Sequence, residues 1–308
     1  MATPAVSVVI PTYNHARFVL QTLESVWAQT FTDYEIIVVN DGSPDNTGDL
    51  LVPLAQSGKI RYFAQENAGQ GAARNRGIAE ARGRFINLLD DDDLLPPDKI
   101  AWQVAALDAD PGVAAVYGYP DPVDADCNPT EPRDAYNALP DWPRDAPTGN
   151  VYEAMTRRCW LVSPGQALIR RAALPPAPFD TTLRGNDDWD LWLRLSETHR
   201  FAFERRVALL YRLHGANASA DTLTMRRSDF RMLMKHLRRN VLAPRRFALL
   251  AYRLASLVRN TPAMMLEQAQ ADDLAGRTET ARAKRLYAAR LRPTLYLDAG
   301  FRARLRGN

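Results

Sequence analysis

Two cysteines, Cys127 and Cys159, are all that the 308 residues hold. They offer neither a disulfide framework nor a metal-binding spacing, so a reducing compartment is expected. No run of about 18 apolar residues occurs, and no segment is read as a bilayer span. Before Val6 there is no positive-then-apolar leader, which makes a cytoplasmic location the expectation. The first strand is followed by neither Gly-x-Gly-x-x-Gly nor a Walker lysine, and both of those nucleotide folds are disfavoured. A hydrophobic content of 46% excludes a disordered chain, and the length suffices for one large domain or two.

What the chain does have is negative charge delivered by a strand. Phe85 to Leu89 is short, mostly apolar and reads as buried on both faces. Four carboxylates, Asp90 to Asp93, follow at once, and Pro96-Pro97 can then open a helix. Adjacent like charges repel, so folding either leaves them solvated in a plain acidic loop or neutralises them with a cation. Oxygen ligands at that spacing suit a hard divalent ion, Mg²⁺ or Mn²⁺.

Taken in order, the chain alternates strands and helices. Val6 to Ile10 is a β-branched strand ending in Pro11-Thr12-Tyr13-Asn14, and Ala16 to Gln29 places Val19, Leu23, Val26 and Trp27 at helical spacing. Glu35 to Val39 repeats the pattern and ends in Asn40-Asp41-Gly42-Ser43, before a helix reaching Leu54. Ile60 to Ala64 is a third strand; Asn67 to Gly77 is glycine-rich, and its Ala72 to Ala81 continuation favours helix. Such alternation predicts a mostly parallel sheet with ligands beyond the carboxyl ends of its strands, where Thr12, Asn14, Asp41 and Asp90 to Asp93 fall. Ala114 to Tyr119 and Val207 to Leu213 are further strands, the second ending at His214, and Pro120 to Asn150 reads as a long loop. Asp187 and Asp188 open an apolar helix at an end where the dipole favours carboxylates.

The net charge of +3 conceals an asymmetry. From Met225 onward there are 19 Lys+Arg and 6 Asp+Glu, so this part carries 19 − 6 = +13 and the rest 20 − 30 = −10. Phe230, Leu233, Met234 and Leu237 share one helical face; Phe247, Leu250, Ala251, Leu254, Leu257 and Val258 share another. Either these stripes pack on the preceding domain, or they form a basic amphipathic surface on anionic lipid. Gln268 to Arg290 has a helix-Gly-helix look similar to a single tetratricopeptide-like pair. No nucleic-acid-binding motif is present, and nucleic acid is not expected as a partner.

The series Val6-Ser-Val-Val-Ile-Pro-Thr-Tyr-Asn14, Val39-Asn-Asp-Gly-Ser43, Asn67-Ala-Gly-Gln-Gly-Ala-Ala-Arg-Asn-Arg-Gly77, Leu89-Asp-Asp-Asp-Asp93, Asp187-Asp-Trp-Asp-Leu-Trp-Leu-Arg194 and Tyr211-Arg-Leu-His214 resembles family 2 inverting glycosyltransferases of GT-A fold. The resemblance implies an α/β fold: a GT-A type, Rossmann-like, mostly parallel sheet flanked by helices. Residues 1–224 would be the catalytic domain, its nucleotide-sugar half about 1–119 and its acceptor half about 120–224, with 225–308 a basic α-helical extension. It further implies that Pro11, Thr12, Tyr13, Asn14, Asp41, Gly71, Arg74, Asp90 and Asp91 bind the nucleotide sugar, with Arg74 lying close to Asp41. Asp92 and His214 would hold Mn²⁺ or Mg²⁺, with Asp93 in place of Asp92 if the register shifts by one. Asp188 would be the general base, and Asp187 stands where a glutamate is usual. The implied reaction moves a sugar from a nucleoside-diphosphate carrier, uridine diphosphate foremost, to a hydroxyl of a glycan or lipid-linked acceptor in surface polysaccharide synthesis. Acceptor contacts are expected from Pro120 to Asn150 and from Ser163 to Gln166, and the basic tail would allow peripheral association with the inner membrane face. A sugar-phosphate nucleotidyltransferase and a non-catalytic nucleotide-sugar-binding scaffold are the competing readings. The former wants a Gly-rich, Arg-Lys-bearing loop where Pro11 to Asn14 stands.

Overall fold

A computed structural model describes residues 3–130, 146–215, 217 and 220–306. It divides into two compact units, Met1–Leu183 with Asp187–Asn217, and Arg184–Asn186 with Ala218–Asn308.

The first unit is built on seven strands: β1 (Val6–Thr12), β2 (Tyr34–Asn40), β3 (Arg61–Ala64), β4 (Phe85–Leu88), β5 (Val113–Val123), β6 (Ala167–Arg170) and β7 (Arg200–Arg212). Their order is β3-β2-β1-β4-β6-β5-β7, with β6 alone running against its neighbours. All seven residues of β1 are buried, as expected for an inner parallel strand covered on both faces. Val6, Val8 and Ile10 pack with Val19, Leu23 and Val26 of α1 (Val19–Trp27) and with Ile100, Val104 and Leu107 of α4 (Lys99–Ala109). Each such side chain contributes roughly 1.5–3 kcal/mol by leaving water. Behind Val9 lies α3 (Gln70–Glu80), approaching so closely at Gly77 that a Cβ there would sit 2.3 Å from Val9 Cγ1. α2 (Thr47–Gln56) joins β2 to β3. In-register pairing of Thr12 with Asn40 and of Val9 with Leu88 ends β1, β2 and β4 at one sheet edge. That edge therefore receives Asp41 and the Asp90 to Asp93 run.

Two strands run longer than their sequence suggests. β5 continues past Tyr119 through Pro120 and Pro122, into the expected loop. On that stretch it pairs with β7, while β6 pairs with β5 solely at Ala115 to Tyr117, and an isolated bridge joins Val123 to Pro129. β7 begins at Arg200, seven residues before Val207. Its Glu204-Arg205-Arg206 segment is exposed on the outermost strand, where charged residues blunt an open edge. Residues 131–145 of the expected loop lie outside those described.

Among the described residues this unit also carries α5 (Tyr152–Arg157) and α6 (Asp187–Ser196). The second unit is helical: α7 (Thr222–Arg239), α8 (Pro244–Leu274), α9 (Thr278–Leu291) and α10 (Ala299–Arg306). Leu223, Met265, Tyr287 and Ala288 form its small core. Gly276, at φ +74°, makes the turn between α8 and α9, and Asp272 clamps that turn by pairing with Arg277 (2.7 Å) and Lys284 (2.8 Å).

Candidate active site

The aspartate run alternates between two environments. Asp91 and Asp93 are buried, while Asp90 and Asp92 retain some exposure. Asp93 accepts from the backbone N–H of Arg212 (3.0 Å) and from Ser163 Oγ (2.9 Å), and burial pushes its carboxyl well above the usual range. Arg212, fully buried, donates its Nε to Asp92 O (2.6 Å) and an Nη to Ala125 O, tying the run to β7. Asp93 is thus a fastening group, and Asp92 is the member of the run presented to the site.

Asp92 Oδ2 lies 2.9 Å from His214 Nε2. One potential ligand atom each from His15, Asp92 and His214 falls within 4.8 Å of the others, the one such cluster among the described residues. His15 Nδ1 is engaged by Asp91 Oδ1 at 2.7 Å, which leaves Nε2 as the ring nitrogen available to a cation. That hydrogen bond, with burial opposing it and the nearby carboxylates reinforcing it, pushes the His15 pKa up to about 9. Phe18 stacks on His214 at 4.7 Å and meets His15 edge-on, and Asn217 fixes the His214 turn through Oδ1 to the His214 N–H (2.6 Å). The donor set, two imidazoles and a carboxylate, fits a divalent transition ion. Beside Asp92 and His214, both named from the sequence, the cluster brings in His15. His15 escaped the sequence reading because it falls between strand and helix; its place at the end of β1, on the same edge as the carboxylates, was the available signal.

Arg74 organises the other side. Its guanidinium, 3% exposed, reaches Asp90 Oδ1 at 2.6 Å and Asp187 Oδ2 at 3.1 Å. It does so instead of pairing with Asp41, whose carboxylate accepts from Gln65 Nε2 (2.7 Å), Ala68 N (3.0 Å) and Gly69 N (2.8 Å). Asp41 therefore anchors the loop that starts α3, and Gly69 takes the positive φ (+91°) that this turn needs. Gly71 lies close by: a Cβ there would stand 3.2 Å from Asp187 Oδ2, so that carboxylate would have to shift by a few tenths of an ångström. Asp188, half-buried at the start of α6, has its pKa pushed up to about 7, first by burial and then by the Asp187 charge, with Arg74 opposing. Asp90 is raised as well, by burial.

At the β1 end, Thr12 is buried, Tyr13 is 46% exposed, and Asn14 adopts φ +58° with its N–H on Ser43 Oγ (3.0 Å). Asparagine tolerates this left-handed geometry. The Ser163 to Gln166 segment is a buried capping box whose serine also donates to Asp93.

Residues 7–175 match the family model described as Glycosyl transferase family 2. An uncharacterized glycosyltransferase of Rickettsia typhi is 32% identical over 228 residues, covering 72% of this chain and 68% of the relative. The chondroitin synthase of Escherichia coli is 29% identical over 231 residues, which is 73% of this chain and 31% of that protein. The chain spans about a third of the length of several curated relatives that it matches. In fold it is similar to the mannosyltransferase PcManGT from Pyrobaculum calidifontis in complex with GDP-Man and Mn²⁺, with TM-score 0.59 and 22% identity over 99% of this chain and 84% of that one. The GT-A arrangement of sheet and helices expected from the sequence is the one observed. Family model, relatives and sheet agree, and the chain belongs to glycosyltransferase family 2.

Proposed function

We propose that this protein is a metal-dependent, inverting glycosyltransferase, moving a sugar from a nucleoside-diphosphate carrier to an acceptor hydroxyl in the synthesis of a surface polysaccharide. The observation that carries this reading is the Asp188 carboxyl, held near pKa 7 beside the Arg74–Asp187 pair and in the field of Asp90. A base of that pKa takes a proton efficiently near neutral pH. Displacement at an anomeric carbon passes through an oxocarbenium-like state, and a single base with in-line attack inverts the centre.

His15, Asp92 and His214 would hold Mn²⁺, which when bound supplies a Lewis acid for the charge growing on the leaving diphosphate. Tyr13 offers an exposed ring for the nucleobase, uracil being the expected one, and Asp41 acts by holding the 65–69 loop in place. Asp90 and Asp91 line the same edge; Asp90 is kept in position by Arg74, and Asp91 orients His15. The acceptor is a glycan or a lipid-linked sugar.

The test is release of nucleoside diphosphate from candidate donors by wild type and by Asp188→Asn. Loss of the base should lower turnover about 10²- to 10⁴-fold while nucleotide affinity stays within a factor of two or so. Unchanged turnover in that variant removes Asp188 from the reaction.

A further inference from the structure

The turn between α7 and α8 presents aliphatic side chains to water. Leu242 is 95% exposed and Val241 62%. Isolated exposed leucines are ordinary, but the setting here is not. Arg238 and Arg239 close α7 with only Asn240 before this pair, and Arg245 and Arg246 stand in the first turn of α8, beyond Ala243 and Pro244. From Phe230 to Leu266 there are eight basic residues, namely Arg231, Lys235, the four just named, Arg253 and Arg259, and not one carboxylate. Along α8 the exposed residues Arg245, Ala248, Tyr252, Ala255 and Arg259 recur at three- and four-residue steps, so they share one face, with Tyr252 68% exposed at its middle.

We propose that this turn is a membrane-docking tip: Val241 and Leu242 enter the acyl boundary of an anionic bilayer, the flanking arginines pair with lipid phosphates, and Tyr252 lies at headgroup depth. The chemistry selects lipid over a protein partner. A bare aliphatic tip ringed by charge of one sign matches a surface that is apolar beneath and negative above. Arginines on either side extend their stems along the apolar zone while keeping the guanidinium at phosphate level, and tyrosine is enriched at that depth. A protein surface taking the same tip would need an apolar pocket with an acidic rim and no basic groups. The inference stands on the helical unit alone and needs nothing from the proposed transfer reaction.

The test is co-sedimentation of the full chain with vesicles of phosphatidylcholine alone and of phosphatidylcholine mixed with phosphatidylglycerol. Binding is expected only to the anionic vesicles, weakening as salt rises. Arg238 and Arg245, each replaced by glutamine, should weaken it roughly fivefold, and Leu242→Asp by tenfold or more. Both kinds of variant should melt as wild type does, and nucleotide binding, measured separately, should not change. Vesicle binding by Leu242→Asp equal to wild type overturns the proposal. So does absence of binding to anionic vesicles, or self-association in solution that Leu242→Asp abolishes while vesicles have no effect.

Discussion

The two units handle charge in opposite ways. In the first, carboxylates are drawn out of water and held by few partners: Asp93 by a backbone N–H and a serine, Asp91 by His15, Asp90 and Asp187 by one guanidinium. In the second, Arg238 and Arg245 are exposed, and buried charges such as Asp229 and Asp272 are each held in ion pairs within the helical unit. Burial changes what a charge can do. A desolvated carboxyl such as Asp188 acquires a pKa suited to proton transfer, whereas a solvated arginine keeps its charge and acts by attraction at a distance. In the proposed reading, the −10 and +13 of the two parts of the sequence correspond to transfer chemistry on one side and lipid docking on the other.

The sharpest way to break this contrast is at Arg74. Replacing it with methionine leaves Asp90 and Asp187 facing each other in a desolvated site, and removal of one member of such a network typically costs about 3–5 kcal/mol. Thermal melting should drop by roughly ten degrees for a unit of this size. A drop of only a degree or two shows that water already screens the pair.

A smaller effect is expected from Asp188, with a sign that depends on pH. Its folded pKa, about 7, lies above the ordinary 3.8, so the proton it retains stabilises the fold at low pH. That stability is lost as pH rises from about 4 to about 7 and is absent above. Asn in its place carries no such loss. Asp188→Asn should therefore melt higher than wild type at pH 8, by on the order of 2 kcal/mol after discounting for partial exposure, and no higher at pH 4. Calorimetric melts of both chains across that range decide it, and the reverse ordering places Asp188 in an ordinary solvated environment.

Least of all should happen to the stability of Leu242→Asp. A substitution at a fully exposed turn shifts unfolding by no more than about 0.5 kcal/mol. A large loss would mean that the turn packs on the protein, and the contrast between the units would fail there.

Much of the fold was legible because its inner strands are continuous apolar runs. Val6 to Ile10, Glu35 to Val39 and Phe85 to Leu89 end where polar residues begin, and those ends meet at one edge. The β7 edge was less legible, since Glu204 to Arg206 interrupts its pattern. At the site, residue types could be read but pairings could not. His214 meets Asp92 across 122 residues, and Arg74 meets Asp187 across 113. No local period encodes such contacts. The 65–69 loop occupies the Asp41 carboxylate, and Arg74 is taken up by Asp90 and Asp187.

One measurement bears most directly on the proposed site: the melting shift produced by uridine, guanosine, deoxythymidine and cytidine diphosphates, each with Mn²⁺ and with a chelator. One nucleotide at a hundred times its dissociation constant should stabilise the chain by about 2.7 kcal/mol, worth several degrees. The shift should require Mn²⁺, persist in Asp188→Asn and vanish in Asp92→Asn. A shift of equal size in chelator, or none with any of the four, contradicts a metal-dependent nucleotide site at the Asp90 to Asp93 edge.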